Sequence, residues 1–193
     1  MPNLKAVFYA AGNVKSFAAP LIERNVLLVG AWDINAIPVA EMCLSQVLLS
    51  LRGYFRATRN YAEIKTHEAK NFPRSGVFGE TVGLIGLGKI GTRLRNLLEA
   101  FPVKVIAHDP FLTDQRAAEL NVERVSLDEI FERSLVVSNH IPDLESTVGV
   151  LNRSHFDKMR EGATFINSGR GAQVVESDLI SVLEARSDLT ALL

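Results

Sequence analysis

The sequence predicts an α/β fold with a doubly wound parallel sheet, and three observations carry that expectation. Apolar runs of strand length alternate with longer segments of helical period along the 193 residues. A glycine-rich turn, Gly86-Leu87-Gly88-Lys89-Ile90-Gly91, leaves one such strand and opens a helix. An acidic residue, Asp109, ends the strand after it. Strands separated by helices imply parallel pairing, because parallel neighbours need a crossover connection, and the crossovers put helices on both faces.

Taken in order, Leu4 to Tyr9 reads as a short buried strand and Val26 to Val29 as another. Between them Val14 to Arg24 has helical spacing, with Pro20 expected to kink or split it. A long helix is expected from Pro38, in its first turn, to about Lys65. Its buried face is Ala40, Leu44, Val47, Leu48 and Leu51. Asn71-Phe72-Pro73-Arg74-Ser75-Gly76 reads as a linker, dividing the chain into a first lobe of residues 1–73 and a second of 74–193.

After the linker, strands are expected at Thr81–Ile85, Val103–Ala107, Leu135–Ser138, Ala163–Ile166 and Leu189–Leu193. Helices are expected at Ile90–Phe101, Thr113–Leu120 and Leu127–Arg133, at 153–160 behind an Asn152 cap, and at Asp178–Arg186 behind a Ser177 cap. Gly162 stands where a left-handed residue closes the Asn152-capped helix. No repeat or low-complexity tract interrupts the pattern.

Composition excludes several classes. The chain is 47% hydrophobic and 22% charged, enough for a sizeable core. Its 21 Lys and Arg against 22 Asp and Glu give a net charge of −1, so no basic field is available to a nucleic acid. The single cysteine, Cys43, forms no internal disulfide, and no metal site is read from the sequence. The start Met1-Pro2-Asn3-Leu4-Lys5 lacks signal-peptide layout, and no apolar run of about 18 residues is read. The expectation is a soluble cytoplasmic protein with neither a membrane nor a nucleic acid as partner.

The glycine turn carries the chemistry. Gly86 permits the tight turn, Gly88 lets backbone approach a pyrophosphate, and Gly91 lets the helix pack close to the strand. The helix N-terminus adds unpaired N–H groups and partial positive charge. Asp109, about 20 residues on, stands where a carboxylate accepts the adenosine ribose hydroxyls and repels a 2′-phosphate, which favours NAD over NADP. This makes the second lobe a Rossmann-type dinucleotide domain; without a ligand, the same residues would be a glycine-rich βα turn and an Asp-Pro turn.

Further groups fall at the carboxyl ends of strands, where such sheets bind ligands. Arg170, flanked by Gly169 and Gly171, is either a solvated loop cation or a bidentate partner for a substrate carboxylate. Ala11, Gly12 and Asn13 form either a plain turn or an anion-binding set of N–H groups. Of the four histidines, His67 falls in the tail of the long helix, His155 in a surface helix, and His108 at a strand end. Only His140 is well placed, either as a loop histidine or as a proton carrier. No obvious acid/base residue with an orienting carboxylate is present.

These stretches, together and in order, resemble the D-isomer-specific 2-hydroxyacid dehydrogenases: Leu4-Lys5-Ala6-Val7, Val39-Ala40-Glu41, Gly83 to Gly91, His108-Asp109-Pro110, Asn139-His140-Ile141-Pro142 with Ser146-Thr147, and Asn167-Ser168-Gly169-Arg170-Gly171. The resemblance implies part of a flavodoxin-like substrate lobe ahead of the Rossmann-type domain. It implies NAD held by Gly86, Gly88, Lys89, Ile90, Gly91, Asp109, His140, Pro142, Thr147, Asn167, Ser168 and Gly169. It makes Arg170 the catalytic arginine and Ala11, Gly12 and Asn13 the substrate-carboxylate loop, although Ala10-Ala11-Gly12-Asn13 departs from the family's commoner Gly-x-Gly-x-Asp-Asn form. The implied substrate is a small anionic 2-hydroxy or 2-keto acid, and the implied assembly a homodimer.

In the family, a catalytic Glu and His follow the stretch corresponding to Leu193, so this chain is expected to lack that proton-transfer pair and to be a fragment. An alternative is a non-catalytic NAD-binding module or sensor derived from the same family. A short-chain dehydrogenase has little support: Tyr61-Ala62-Glu63-Ile64-Lys65 lies upstream of the glycine turn, the wrong order for that class.

Overall fold

The computed structural model describes residues 3–64 and 76–193. Residues 71–75 of the linker expected at 71–76, the boundary between residues 73 and 74, and His67 lie outside the described residues.

The second lobe is a six-stranded parallel sheet: β3 (Thr81–Ile85), β4 (Lys104–His108), β5 (Glu123–Arg124), β6 (Val136–Asn139), β7 (Thr164–Asn167) and β8 (Thr190–Leu192). Their spatial order is β5-β4-β3-β6-β7-β8. The chain runs outward from β3 to β5, then returns to place β6 on the other side of β3. Strand order therefore reverses between β3 and β6, which is where a doubly wound sheet opens a crevice at its carboxyl edge. β5 was not expected; only two residues long, it falls below any periodic signal.

The helices of this lobe are α4 (Lys89–Leu98), α5 (Asp114–Glu119), α6 (Leu127–Arg133), α7 (Arg153–Phe156) and α8 (Glu176–Ala185). Two cores result. One joins α4 and α5 to the sheet through Leu94, Leu98 and Ala117 against Val82, Leu84 and Val136. The other, opposite, packs α6, α7 and α8 through Ile130, Phe131, Phe156 and Val182 against Ile85, Val137 and Phe165. Phe156 meets Phe165 edge-on at 5.3 Å between ring centroids. α6 begins with a capping box in which Ser126 and Glu129 satisfy each other's backbone N–H groups. α7 is shorter than expected, ending in turns after Phe156, and α8 starts two residues early with Val175, not Ser177, at its N-cap. Gly162 is left-handed, but it lies in the turn before β7 and does not close α7, whose C-cap is Asp157.

The first lobe is smaller. β1 (Ala6–Tyr9) and β2 (Leu27–Gly30) form a two-stranded parallel sheet crossed by α1 (Ala19–Ile22). Pro20 falls in the first turn of α1, and residues 14–18 form hydrogen-bonded turns instead of helix. The strands are not buried as expected: Phe8 is 77% exposed and Leu27 59%.

The long helix is two helices, α2 (Trp32–Leu51) and α3 (Tyr54–Ile64), separated by Gly53 at φ 70°. Pro38 lies inside α2, a full turn beyond its first, because the helix starts at Trp32. At 20 residues α2 is long and apolar enough, by length and composition, to cross a membrane, so the expectation that no such run is present does not hold. Its inner face, Ala40, Cys43, Val47 and Leu51, packs in the same core as Leu94, Leu98 and Ile166. α2 thus ties the first lobe to the sheet.

Candidate active site

The glycine turn sits at the strand-order reversal, held from both sides. The Gly86 N–H donates to the His108 carbonyl at the end of β4 (2.9 Å), and the His140 N–H donates to the Ile85 carbonyl (2.8 Å). Gly86 has φ 85°, a conformation any side chain would strain. A Cβ on Gly91 would overlap the Gly86 carbonyl oxygen, so α4 reaches its seat against the turn only with glycine there. At Gly88 nothing lies within 4 Å of where a Cβ would stand, so this backbone faces open space. Gly88 is also the N-cap of α4, and no side chain caps the helix. An uncapped helix start facing an open cleft is an anion site, and the turn fits a dinucleotide pyrophosphate.

Asp109 is bonded to that turn. Its Oδ2 accepts the Leu87 N–H at 2.8 Å and its Oδ1 accepts the Phe111 N–H at 2.8 Å. Each carboxylate oxygen keeps further acceptor capacity. Beside it an open cavity of ≈ 480 Å³ is lined by His108, Pro110, Arg124, Val125 and Ser126, among others. His108 points its Nδ1 at the Val125 carbonyl (3.1 Å), as part of this cavity's wall.

His140, leaving β6, is the most perturbed group. Burial pushes its imidazole down to about 3, so it is neutral at physiological pH. Ser168 Oγ donates to the Asn139 carbonyl at 3.0 Å and lies 2.6 Å from His140 Nδ1. The other ring nitrogen, Nε2, is buried and has no hydrogen-bond partner among the described residues. Cys43 of α2 lies beneath, its thiol beside Ser168 and Ser138, and burial pushes that thiol up.

Arg170 stands on a loop fixed by three amides. Gln173, 1% exposed, accepts at Oε1 from Asn139 Nδ2 (2.8 Å) and from the Arg170 N–H (3.2 Å). Its Nε2 donates to the Ile141 carbonyl at 2.7 Å. Asn167 Oδ1 accepts from Asn139 Nδ2 and from the Gly169 N–H, both at 3.0 Å, while its Nδ2 donates to the Arg170 carbonyl. The ends of β6 and β7 are thereby locked together. The guanidinium is exposed and turned back through Nη1 to the Gly169 carbonyl at 3.0 Å.

The other expected residues are placed differently. Thr147 closes the 142–147 turn on itself, its hydroxyl 2.7 Å from the Pro142 carbonyl and accepting the Leu144 N–H at 3.0 Å. Lys89 points its Nζ not at the turn but at Asp33, 3.0 Å away, and lies 4.9 Å from the Trp32 ring centroid. Ile90 is half-buried. Gly12 packs on Trp32, and Asn13 accepts the Lys15 N–H at 2.9 Å in a side-chain turn. Among the described residues no hydrogen bond joins Ala11, Gly12 or Asn13 to Arg170.

Sequence reasoning missed Gln173, Asp33 and Trp32 as parts of this site. Gln173 lies three residues past Arg170, a buried amide in an otherwise apolar stretch, which is the one signal it leaves.

Comparison with known proteins assigns the class. Residues 44–193 match the family described as "D-isomer specific 2-hydroxyacid dehydrogenase, NAD binding domain", and the chain belongs to that family. It is 34% identical over 185 residues to D-3-phosphoglycerate dehydrogenase of Mycobacterium tuberculosis, covering 94% of this chain and 34% of that protein. It is 32% identical over 163 residues to the enzyme of the same name from Archaeoglobus fulgidus, covering 84% of this chain and 31% of the relative. The chain thus spans about a third of the length of these curated relatives. Among solved structures, the NAD-dependent formate dehydrogenase of Staphylococcus aureus in complex with NAD superposes with a TM-score of 0.76 at 25% identity, over 97% of this chain and 56% of that one. NAD is the cofactor to which the site corresponds.

Proposed function

We propose that this chain forms the cofactor-gripping part of an NAD-dependent oxidoreductase acting on the CH–OH carbon of a small D-2-hydroxy acid, or on the matching 2-keto acid. The observation that carries it is the convergence of the Gly86–Gly91 cradle, Asp109 and the Arg170 loop at one carboxyl edge of the sheet, in the family's order. Bound NAD supplies the hydride acceptor or donor. Gly88 and the α4 N-terminus hold the anionic pyrophosphate, and Asp109 receives ribose hydroxyls. Arg170 binds the substrate carboxylate bidentately and polarises the neighbouring oxygen.

The exposed apolar side chains of Phe8, Leu27, Trp32 and Met42 support the expected homodimer, which sedimentation velocity at micromolar concentration reads directly.

The test is turnover of glyoxylate, pyruvate and hydroxypyruvate with NADH by the protein and its Arg170→Lys variant. Lysine cannot reproduce the fork, so kcat/KM falls about tenfold to a hundredfold while the NADH Kd moves less than about twofold. Equal loss of both reduces Arg170 to a structural role.

A second reading, a non-catalytic NAD-binding module, is favoured by one observation. Neither His140, buried and tied to Ser168, nor His108, turned to Val125, is a free proton carrier beside Arg170. NADH binding without turnover of any acid would select it.

A further inference from the structure

We propose that Asp33, at the start of α2, is a positioning residue that competes with the cofactor's pyrophosphate for the Lys89 ammonium. The inference rests on reading the Gly86–Gly91 turn as a pyrophosphate cradle. Lys89 is the first residue of α4, directly after the open backbone of Gly88. A cation there is where an arriving diphosphate needs one. Instead its Nζ is 3.0 Å from Asp33 Oδ1, and Arg93, one turn along α4, reaches Asp33 Oδ2 at 3.3 Å. Trp32 completes the arrangement, its ring under the ammonium at 4.9 Å. One carboxylate therefore engages two α4 cations near the helix start, and those bonds hold the Asp33 carboxyl below its usual range.

The position of Asp33 is not accidental to a floppy side chain. α2 and α4 share one core, Ala40 and Val47 packing with Leu94 and Leu98, so the carboxylate is presented from a fixed element. The ion pair itself is labile, because Asp33 is 43% and Lys89 52% exposed. Pairs this open contribute little to stability. A diphosphate at a helix N-terminus outcompetes such a partner, and Lys89 transfers to it at the cost of leaving Asp33. Asp33 also adds direct repulsion toward the incoming anion. Both effects weaken cofactor binding, and both disappear when the charge is removed.

The experiment is calorimetric titration of the chain and its variants with NADH, and with adenosine, which lacks phosphate. Asp33→Asn is expected to tighten NADH binding by about threefold to fivefold, the equivalent of an exposed pair. Adenosine affinity stays unchanged, Asp33→Glu retains wild-type NADH affinity, and in a Lys89→Met background the gain from Asp33→Asn shrinks below about twofold. A weaker or unchanged NADH affinity in Asp33→Asn, or equal tightening of adenosine, overturns the proposal. Wild-type protein that ignores millimolar NADH instead removes the pyrophosphate reading beneath it, a distinct result.

Discussion

His140 shows how one buried side chain couples the site to pH. Its folded imidazole titrates near 3, against about 6.5 when unfolded, because burial disfavours the cation. Between those values the unfolded chain binds a proton that the folded chain does not, so stability falls as pH falls below about 6.5. The slope from one such group approaches about 1.4 kcal/mol per pH unit. His155, lowered by the same cause, acts in the same direction, so it leaves a residual slope. Urea unfolding of His140→Gln between pH 7 and pH 4.5 is expected to show a shallower acid limb than wild type. An unchanged limb would mean that the imidazole is not held neutral by burial. At this scale Gly86, Gly88, Gly91 and Asp109 were legible, because backbone demands and a strand-end carboxylate are written in residue identity. Gln173 was not, since its role exists only once β6 and the loop after β7 lie side by side.

The glycine turn works as a unit with α4 and β3. The seat of α4 depends on the close approach of Gly91 to the Gly86 carbonyl. Gly91→Ala forces the helix start outward, and overpacking of this kind costs about 1–3 kcal/mol. The expected outcome is a lower urea midpoint together with an NADH Kd raised about tenfold or more, since the uncapped N–H groups move with the helix. Lost stability with an unchanged Kd would separate the turn from the cofactor. Element existence was well marked in the second lobe, where five of six strands carry apolar runs flanked by caps and prolines. Starts and stops were harder: α2 begins at Trp32, six residues before the proline taken as its opening, where Ile34 and Ile37 are exposed and only the small Ala36 continues the buried face. Gly53, at φ 70°, divides what periodicity alone reads as one helix.

Across the whole molecule, the parallel sheet follows from the alternation of strands and helices, and the strand-order reversal places the glycine turn beside the β6 loop. What sequence could not convey is that α2 belongs to both lobes, running from the Trp32–Asp33 corner to the core under β6 and β7. Cys43 lies on that helix, 1% exposed and next to Ser138 and Ser168. A thiol reagent reaches its sulfur only when α2 lifts from the sheet, so alkylation of this single sulfhydryl is a clock for that opening. Ligands that bind only the docked state slow the clock in proportion to their occupancy. Labelling followed by mass spectrometry is therefore expected to slow as NADH is added and to run at the unfolded-peptide rate in denaturant. Labelling as fast in native buffer as in denaturant would show α2 already detached.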